Sequence, residues 1–224
     1  MPIDRMHMLA ARVSSLLLLY LVVVAVPARA QDPPPRIPLF AIDVHGTVPK
    51  FPSEDFLLAD SRGMALAELP GSGLGVQAGV HIYPFRYRAV TFGVGGEVAA
   101  SRARRTPGKR ATTLRPTEER FRSLAPQLSF NFGNGHGWSY LSGGLGQSTW
   151  GLTVKGAADY PPDTEPLKTI NYGGGARWFI KSHVAFSFDV RFYAINPGAP
   201  SPDGRRPGSP RTTLLVIGAG VSLK

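Results

Sequence analysis

The strongest constraint on the fold of this chain is a regular alternation of long and short connections. Eight segments with the pattern of β-strands follow one another, and the connections between them are in turn long and short, with a long one first and last. Such an order puts every long loop at one end of an antiparallel sheet and every tight turn at the other. An even number of strands joined in this way predicts an all-β, eight-stranded antiparallel up-and-down barrel.

Within the segments, apolar and polar residues alternate with a period of two, which is the period of a strand with two different environments. The seventh segment is the clearest, because Val184, Phe186 and Phe188 alternate with Ser187 and Asp189. The predicted strands are Pro38–Val48, Gly73–Tyr83, Arg88–Ser101, Arg120–Phe132, Trp138–Leu152, Leu167–Ile180, a stretch from Val184 to about Tyr193, and Thr212–Leu223.

The connections between the segments have their own local signals. The first long loop predicts a helix over Ser53–Leu69, and Pro84–Tyr87 predicts a tight turn. The next long loop, Arg102–Thr117, is rich in basic residues. Pro126 lies inside the fourth segment, and we expect a bulge there because proline cannot donate a hydrogen bond to a β-ladder.

The first thirty residues have the pattern of an export signal. Arg5 and Arg12 precede an almost wholly apolar run, Val13–Val26, and Ala28–Ala30 has small residues at the two positions that a signal peptidase reads. The apolar run is shorter than the about 20 residues of a spanning helix, which disfavours a membrane anchor. We therefore divide the chain into a cleaved signal peptide (1–30), a linker (31–37) and a barrel domain (38–224).

Composition excludes several classes of site. The chain has no cysteine, which rules out disulfides, thiolate metal sites and thiol catalysis. Its formal net charge is +10 at pH 7, and such an excess indicates contact with polyanions. An exported protein is not expected to bind nucleic acid. The histidines show no metal-ligand spacing, and no metal and no cofactor are expected.

Alternation by itself fits two kinds of barrel. A soluble lipocalin-type barrel has apolar residues inside, whereas a membrane barrel has them outside. Two features favour the membrane barrel: the apolar faces carry no charge through the middle of each segment, and the loops and turns are segregated to opposite ends. Aromatic residues at three turns predict an interfacial girdle. They are Tyr83, Phe85, Tyr87, Phe132, Trp138, Trp178 and Phe179.

The chain resembles the small eight-stranded outer-membrane barrels of the OmpA and OmpX type. The resemblance covers about Phe40 to Leu223 and rests on the strand pattern and on glycine-rich strands such as 173–177 and 217–221. It implies a transmembrane barrel with periplasmic termini and four surface loops, in the outer membrane of a Gram-negative bacterium. Members of that family usually end in an aromatic residue, and this chain departs from the pattern because it ends in Leu223 and Lys224.

Charged residues on the inward face are candidates for a lumen ion-pair network. Their acids and arginines nearly balance, and we expect them to pair, because a lone buried charge is costly. Eight strands enclose a space that side chains just fill, which favours a salt-bridged plug over a gate or ion path. His45 and His81 are assigned to the same face. The proposed network residues are Asp43, Glu97, Arg177, Asp189 and Arg191.

The basic loop is the candidate for contact with an external anion. Arginine binds phosphates bidentately, and lipopolysaccharide presents phosphates at this level of the membrane. The alternative is a solvated loop whose charge only maintains solubility. The residues of this possible polyanion-contact loop are Arg102, Arg104, Arg105, Lys109, Arg110 and Arg115.

The sequence therefore predicts a structural or surface-interaction role: membrane integrity, adhesion, or polyanion contact through the loops. The expected partners are outer-membrane lipids, lipopolysaccharide and the barrel insertion machinery, and the chain is expected to be a monomer. The main alternative is a narrow or gated porin-like channel. A lipid A-modifying enzyme is disfavoured. Ser182–His183 and the pair His136 and Ser139 have no carboxylate placed to complete a serine–histidine catalytic site. A soluble periplasmic ligand-binding barrel is the remaining alternative.

Overall fold

The structure is a closed antiparallel β-barrel. The computed structural model describes residues 35–108, 113–158, 163–201 and 207–224, so the predicted signal peptide and most of the linker lie outside the described residues. Across the described ranges, strands β1 to β8 pair in chain order and β1 pairs with β8, which closes the barrel. The strands are β1 Phe40–Lys50, β2 Leu74–Tyr87, β3 Val90–Arg105, β4 Thr117–Asn134, β5 Gly137–Val154, β6 Leu167–Phe179, β7 Val184–Ile195 and β8 Thr212–Leu223.

The connections confirm the predicted segregation of loops and turns. Loops 51–73, 106–116, 155–166 and 196–211 lie at one end, called the loop end, and the short β2–β3, β4–β5 and β6–β7 connections lie at the other, called the turn end. The structure corrects the second strand, because Pro84–Tyr87 is not the turn. β2 continues to Tyr87, and its pairing with β3 shifts by one residue between Ile82 and Phe85. This bulge at the turn end absorbs Pro84 and leaves Phe85 and Tyr87 exposed.

The predicted bulge at Pro126 is wrong. The pairing of β4 with β3 runs through Gly96↔Pro126 without a shift, and its pairing with β5 has the same register before and after this position. The β4–β5 ladder instead has a gap between Leu124 and Gln127, so the missing N–H of Pro126 interrupts pairing locally and does not displace the strand. The barrel keeps its register because the pairs on both sides hold β4 in place.

Large apolar side chains cover the outside of the barrel. On β4 they alternate from Leu124, which is 63% exposed, to Phe132. These residues span about 26 Å along the strand, or about 20 Å along the axis of a barrel whose strands tilt by about 40°. This is close to the about 25 Å apolar band of outer-membrane barrels. The inverted alternative, a soluble barrel with an apolar pocket, is wrong, since the middle of the lumen is polar.

The loop that follows β1 folds into the mouth of the barrel. It contains a short helix, α1 (Phe56–Ser61), and a 3₁₀ turn (Leu66–Glu68), where the sequence predicted one helix over Ser53–Leu69. Asp55 caps α1 by accepting a hydrogen bond from the Leu58 amide at 3.0 Å, and the helix ends before Gly63, whose φ is +58°. Among the described residues, no helix is long and apolar enough to cross a membrane.

The aromatic residues near the turn end divide into two groups. Phe85 and Trp178 lie outside, more than half exposed, as an interfacial girdle requires. Tyr83 and Trp138 are buried and lie inside, which corrects their assignment to the girdle. They meet edge to face with ring centroids 6.1 Å apart, and Trp138 stacks on Phe179 at 5.1 Å. Inward aromatic rings thus close the turn end of the lumen.

Candidate functional site

The middle of the lumen contains a buried ion pair between opposite walls. Arg177 on β6 donates to both carboxylate oxygens of Asp43 on β1, from Nε at 2.8 Å and from Nη2 at 2.5 Å. The hydroxyl of Ser222 donates to the same carboxylate. The guanidinium also lies 4.1 Å from the ring centroid of Tyr140. This bidentate geometry fixes both side chains and compensates the desolvation of each charge.

A second arginine joins the remaining two predicted acids. Arg191 on β7 contacts Glu97 with Nε at 2.9 Å and Asp189 with Nη2 at 3.0 Å. Tyr193 donates to Glu97 at 2.6 Å, and Tyr140 donates to Asp189 at 2.7 Å. Because Tyr140 also stacks under Arg177, the two ion-pair groups form one continuous polar network across the lumen.

The histidines and several polar side chains surround this network. His45 lies 2.8 Å from the Ser187 hydroxyl through Nε2, and His81 is buried in the same region. Thr47, Ser148 and the amide of Asn171 are buried and have no hydrogen-bond partner among the described residues. Buried polar groups of this kind require water to satisfy them. Charged and polar side chains therefore line the middle of the lumen.

The loop end of the lumen is closed by an apolar cluster. Phe121 of β4 packs edge to face on Tyr193 with centroids 4.9 Å apart. Above them, Phe51, Leu58 and Leu69 from the first loop are almost completely buried. We call the segment from Phe51 to Leu69 the loop plug. A hydrated ion would have to cross this apolar layer to enter the lumen, which is costly for a charge.

Two arginines fasten the loop plug to the other loops. Arg62, at the end of α1, pairs with Asp163 of the β5–β6 loop and donates to Ser209 of the β7–β8 loop at 2.9 Å. Arg115 of the β3–β4 loop donates to Glu68 of the plug at 2.9 Å. Each of the four loops contributes to these contacts, so they hold the loop end together.

The electrostatics of the two fastenings differ. The hydrogen bonds from Arg115 are the largest influence on Glu68 and lower its pKa to about 2. Burial is the largest influence on Asp163 and raises its pKa, although Arg62 opposes this effect. The Glu68–Arg115 pair is therefore ionised over the whole neutral and mildly acidic range.

The basic residues predicted to lie on one loop occupy three different environments. Arg102, Arg104 and Arg105 belong to β3, because β3 and β4 extend beyond the predicted strands and shorten the loop to 106–116. Lys109 and Arg110 lie outside the described residues. Arg115 is paired with Glu68 of the loop plug and stabilises the loop end.

Arginines form a cluster on the outer wall just above the apolar band. Arg102 and Arg104 of β3 contact Glu118 of β4, the latter at 3.1 Å. Arg120 contacts the same carboxylate at 2.5 Å. Arg122 lies two residues below Arg120 on the same exposed face. We call these four arginines, with Glu118, the wall cluster.

A pocket of about 190 Å³ lies beside the wall cluster on β4 and β5. Arg120 and Arg122 line one side and Thr149 and Thr153 the other, and Asp163 of the β5–β6 loop completes the lining. On the opposite side of the same arginines, a shallow groove is lined by Leu74, Val76 and Ala100 of β2 and β3. The two arginines thus stand between this pocket and a more apolar groove.

Sequence reasoning placed the lumen acids and arginines on the inward face but missed other participants. Tyr140 and Tyr193 are absent from the predicted network, yet their hydroxyls connect it. The sequence around Arg62 and Glu68 does not indicate their pairing, since their partners are about fifty to one hundred and fifty residues away. The positions of Arg120 and Arg122 on the outward parity of β4 were available from the alternation of that strand.

Comparison with known proteins identifies the fold. No protein-family model and no curated protein matches the chain. Among solved structures, Neisserial surface protein A is similar with a TM-score of 0.54 and 14% identity, over 84% of this chain and 97% of that one. Ail, the attachment invasion locus protein of Yersinia pestis, aligns with a TM-score of 0.49 and 12% identity, over 82% and 97%. The outer membrane protein AlkL aligns with a TM-score of 0.43 and 12% identity, over 87% of this chain and 93% of AlkL.

The similarity to Neisserial surface protein A covers almost the whole of that protein, at an identity that supports a statement about the fold alone. It agrees with the closed strand order and with the apolar outer face described above. The chain accordingly has the eight-stranded antiparallel barrel fold of Neisserial surface protein A, a fold that the OmpA- and OmpX-type barrels share.

Proposed function

We propose that this protein is a non-conducting outer-membrane barrel with a structural and surface-interaction role. The observation that carries the proposal is the filling of the lumen. The apolar loop plug closes the loop end, the Asp43–Arg177 and Arg191 groups fill the middle, and Tyr83 with Trp138 closes the turn end. With the lumen occupied in this way, the external wall and the loop end are the surfaces that remain for interaction.

The proposal includes export by a cleaved signal peptide to the outer membrane of a Gram-negative bacterium. The first thirty residues have the required charged, apolar and small-residue regions. Periplasmic termini follow from the barrel, since both ends of the described chain lie with the tight turns. The partners that fit are outer-membrane lipids, the insertion machinery, and anions such as lipopolysaccharide phosphates at the basic loop end. We expect a monomer, because the closed barrel has no free sheet edge that a second copy would need to cover.

Single-channel recording tests the proposal. The purified full-length barrel is inserted into planar lipid bilayers, beside the variants Arg177→Gln and Asp189→Asn, and current is recorded at fixed voltage. We expect no unitary conductance steps from the wild type. Reproducible steps whose size changes in Arg177→Gln or Asp189→Asn would refute a filled, non-conducting lumen.

A narrow or gated channel is the second candidate, and one observation favours it. Thr47, Ser148 and Asn171 are buried polar side chains without partners among the described residues, as expected for a hydrated path. Opening such a path requires the loop plug to leave the mouth. Conductance that appears only after Leu58→Asp, and not after Leu57→Asp on the exposed side of α1, would support a gated channel over the filled barrel.

A further inference from the structure

We propose that the wall cluster is a binding site for a phosphorylated glycolipid of the outer leaflet, with two phosphate-sized anions on its arginines and acyl chains in the groove beside it. This inference rests on the proposed outer-membrane surface role and names a ligand class for it. The site lies on the outer wall of β3, β4 and β5, and it joins Arg102 and Arg104, which the sequence assigned to a contact loop, to Arg120 and Arg122 of β4.

The wall cluster has an excess of positive charge. Three guanidinium groups of the wall cluster contact one carboxylate, Glu118, and Arg122 adds a fourth positive charge on the same outward face. Arg102 and Arg120 are directly opposite each other in the β3–β4 ladder, where like charges destabilise a sheet. Glu118 contacts both side chains and offsets part of this repulsion. A bound anion would offset the remaining positive charge, and arginine binds the oxygens of a phosphate in bidentate fashion.

The wall cluster lies at the upper border of the apolar band. Val98 and Leu124 are an outward-facing apolar pair, and Ala100 and Arg122 are the next outward pair towards the loop end. Two residues correspond to about 6.6 Å along a strand. The guanidinium of Arg122 therefore starts at the upper border of the apolar band, where the headgroups of the surrounding lipid lie. A soluble anion would have no reason to bind at this height in preference to the loops.

Two depressions flank the arginines of the wall cluster. Arg120, Arg122, Thr149 and Thr153 line the pocket and offer hydrogen-bond donors to a phosphate or sugar. Asp163 also lines it, with its carboxylate paired to Arg62. The groove on the other side of the arginines is lined by Leu74 and Val76, which are 75% and 61% exposed. The two depressions lie side by side at the height of the arginines, since Leu74 is level with Arg102 and Arg120 is level with Gly151. A headgroup on the pocket side and a hydrocarbon chain on the groove side would occupy both depressions, and this commits the site to an amphiphile.

The experiment uses the folded full-length barrel in detergent micelles. Bisphosphorylated lipid A, its dephosphorylated form and sodium tripolyphosphate are titrated separately, and bound ligand is counted by native mass spectrometry. Arg120→Gln/Arg122→Gln should weaken binding of bisphosphorylated lipid A by about tenfold or more, since two charge-assisted contacts are lost. The matched control is Lys168→Gln/Arg211→Gln, which removes the same charge from exposed positions at the loop end of other strands. It should bind as the wild type does.

Further variants separate the sources of the anion. Leu74→Asn/Val76→Asn should weaken lipid A binding and leave tripolyphosphate binding unchanged. Arg122→Gln alone keeps all three arginine partners of Glu118 and should still lose affinity, so the test survives if the double variant fails to fold. Equal losses in the cluster and control variants would overturn the site, and so would tripolyphosphate or dephosphorylated lipid A binding as tightly as the bisphosphorylated form. Conductance through the lumen would refute the proposed function and leave lipid A binding unchanged, so the two failures are distinguishable.

Discussion

Arg177 illustrates at the scale of a residue how this barrel tolerates charge inside a membrane. Its side chain is 1% exposed, yet the guanidinium has a bidentate carboxylate partner and an aromatic ring beneath it. The inward parity of β6 places it there, and the opposite wall supplies Asp43. Such a pair adds little net stability, but losing one partner leaves an uncompensated buried charge.

A pair of variants tests this interpretation of Arg177. Arg177→Met should lower the free energy of unfolding by about 3–5 kcal/mol, because Asp43 stays buried without its partner. Asp43→Asn/Arg177→Met should lose clearly less, since no lone charge remains. Urea unfolding in lipid vesicles measures both, with Arg86→Met at the exposed turn end as the control. An equal or larger loss in the double variant would contradict the view that the pair is needed mainly for mutual neutralisation.

Gly175 shows how close packing inside the barrel depends on a missing side chain. It is opposite Tyr140 in the β5–β6 ladder, and a Cβ at this position would overlap the carbonyl oxygen of Phe188 and lie 2.7 Å from the Tyr140 hydroxyl. Gly175→Ala should therefore destabilise the barrel by about 1–3 kcal/mol through overpacking. Gly46→Ala is the matched control, since its nearest neighbour would be 3.9 Å away. Unfolding of both variants in the same vesicles gives the comparison, and equal stabilities would show that the β7 backbone and Tyr140 can both shift at no cost.

At the scale of an element, the loop plug depends on tertiary contacts for its place. The helix α1 has only six residues, and such a short helix is marginal in isolation. Its buried side chains, Leu58 and Ala59, and the two arginine fastenings position it in the barrel mouth. Since the fastenings join four loops, releasing one of them should loosen the plug without unfolding the strands.

The Glu68–Arg115 fastening should be sensitive to strong acid. Arg115 lowers the pKa of Glu68 to about 2, so the folded state is stabilised by the charged pair above the ordinary glutamate pKa. This contribution is retained at pH 5 and declines as the pH falls from about 4.5 through about 2. Hydrogen exchange should therefore show stable protection of residues 65–69 from pH 7 to 5 and faster opening near pH 2.

The variant Glu68→Gln provides the control for this pH dependence. It cannot form the ionised pair at any pH, so residues 65–69 should open more readily already at pH 7, and the additional acid-induced opening should be absent. If wild type and Glu68→Gln have the same pH profile, the acid sensitivity of the loop end comes from another group.

At the scale of the whole molecule, closure is the dominant stabilising feature. Each strand pairs on both sides, so no edge remains to open, and the polar middle of the lumen is separated from the apolar band outside. This predicts a heat-modifiable protein. The outer-membrane fraction, loaded on a denaturing gel without boiling, should give a band that shifts in mobility after boiling. Recovery in the soluble periplasm without a shift would contradict the membrane barrel.

The strands and their faces could be predicted from the sequence to within a few residues. β8 has the predicted bounds, and the apolar parity of β7 gives its exposed side. Errors arose where local chemistry was used to place an interruption. Pro84–Tyr87 has the composition of a turn but contains a bulge, and Pro126 has the composition of a bulge but keeps the register, because the neighbouring strands decide where the ladder can absorb a proline.

The all-β class, the strand number, the segregation of loops from turns and the inward position of the lumen charges follow from the amino-acid pattern alone, because a period of two and the lengths of connections are local properties of a chain. The folded barrel is needed to show which charges meet, that the first loop enters the barrel mouth, and that Arg102, Arg104 and Arg120 share Glu118. These features depend on the register between strands and on contacts between residues distant along the chain. Neither is encoded in the pattern of any single segment.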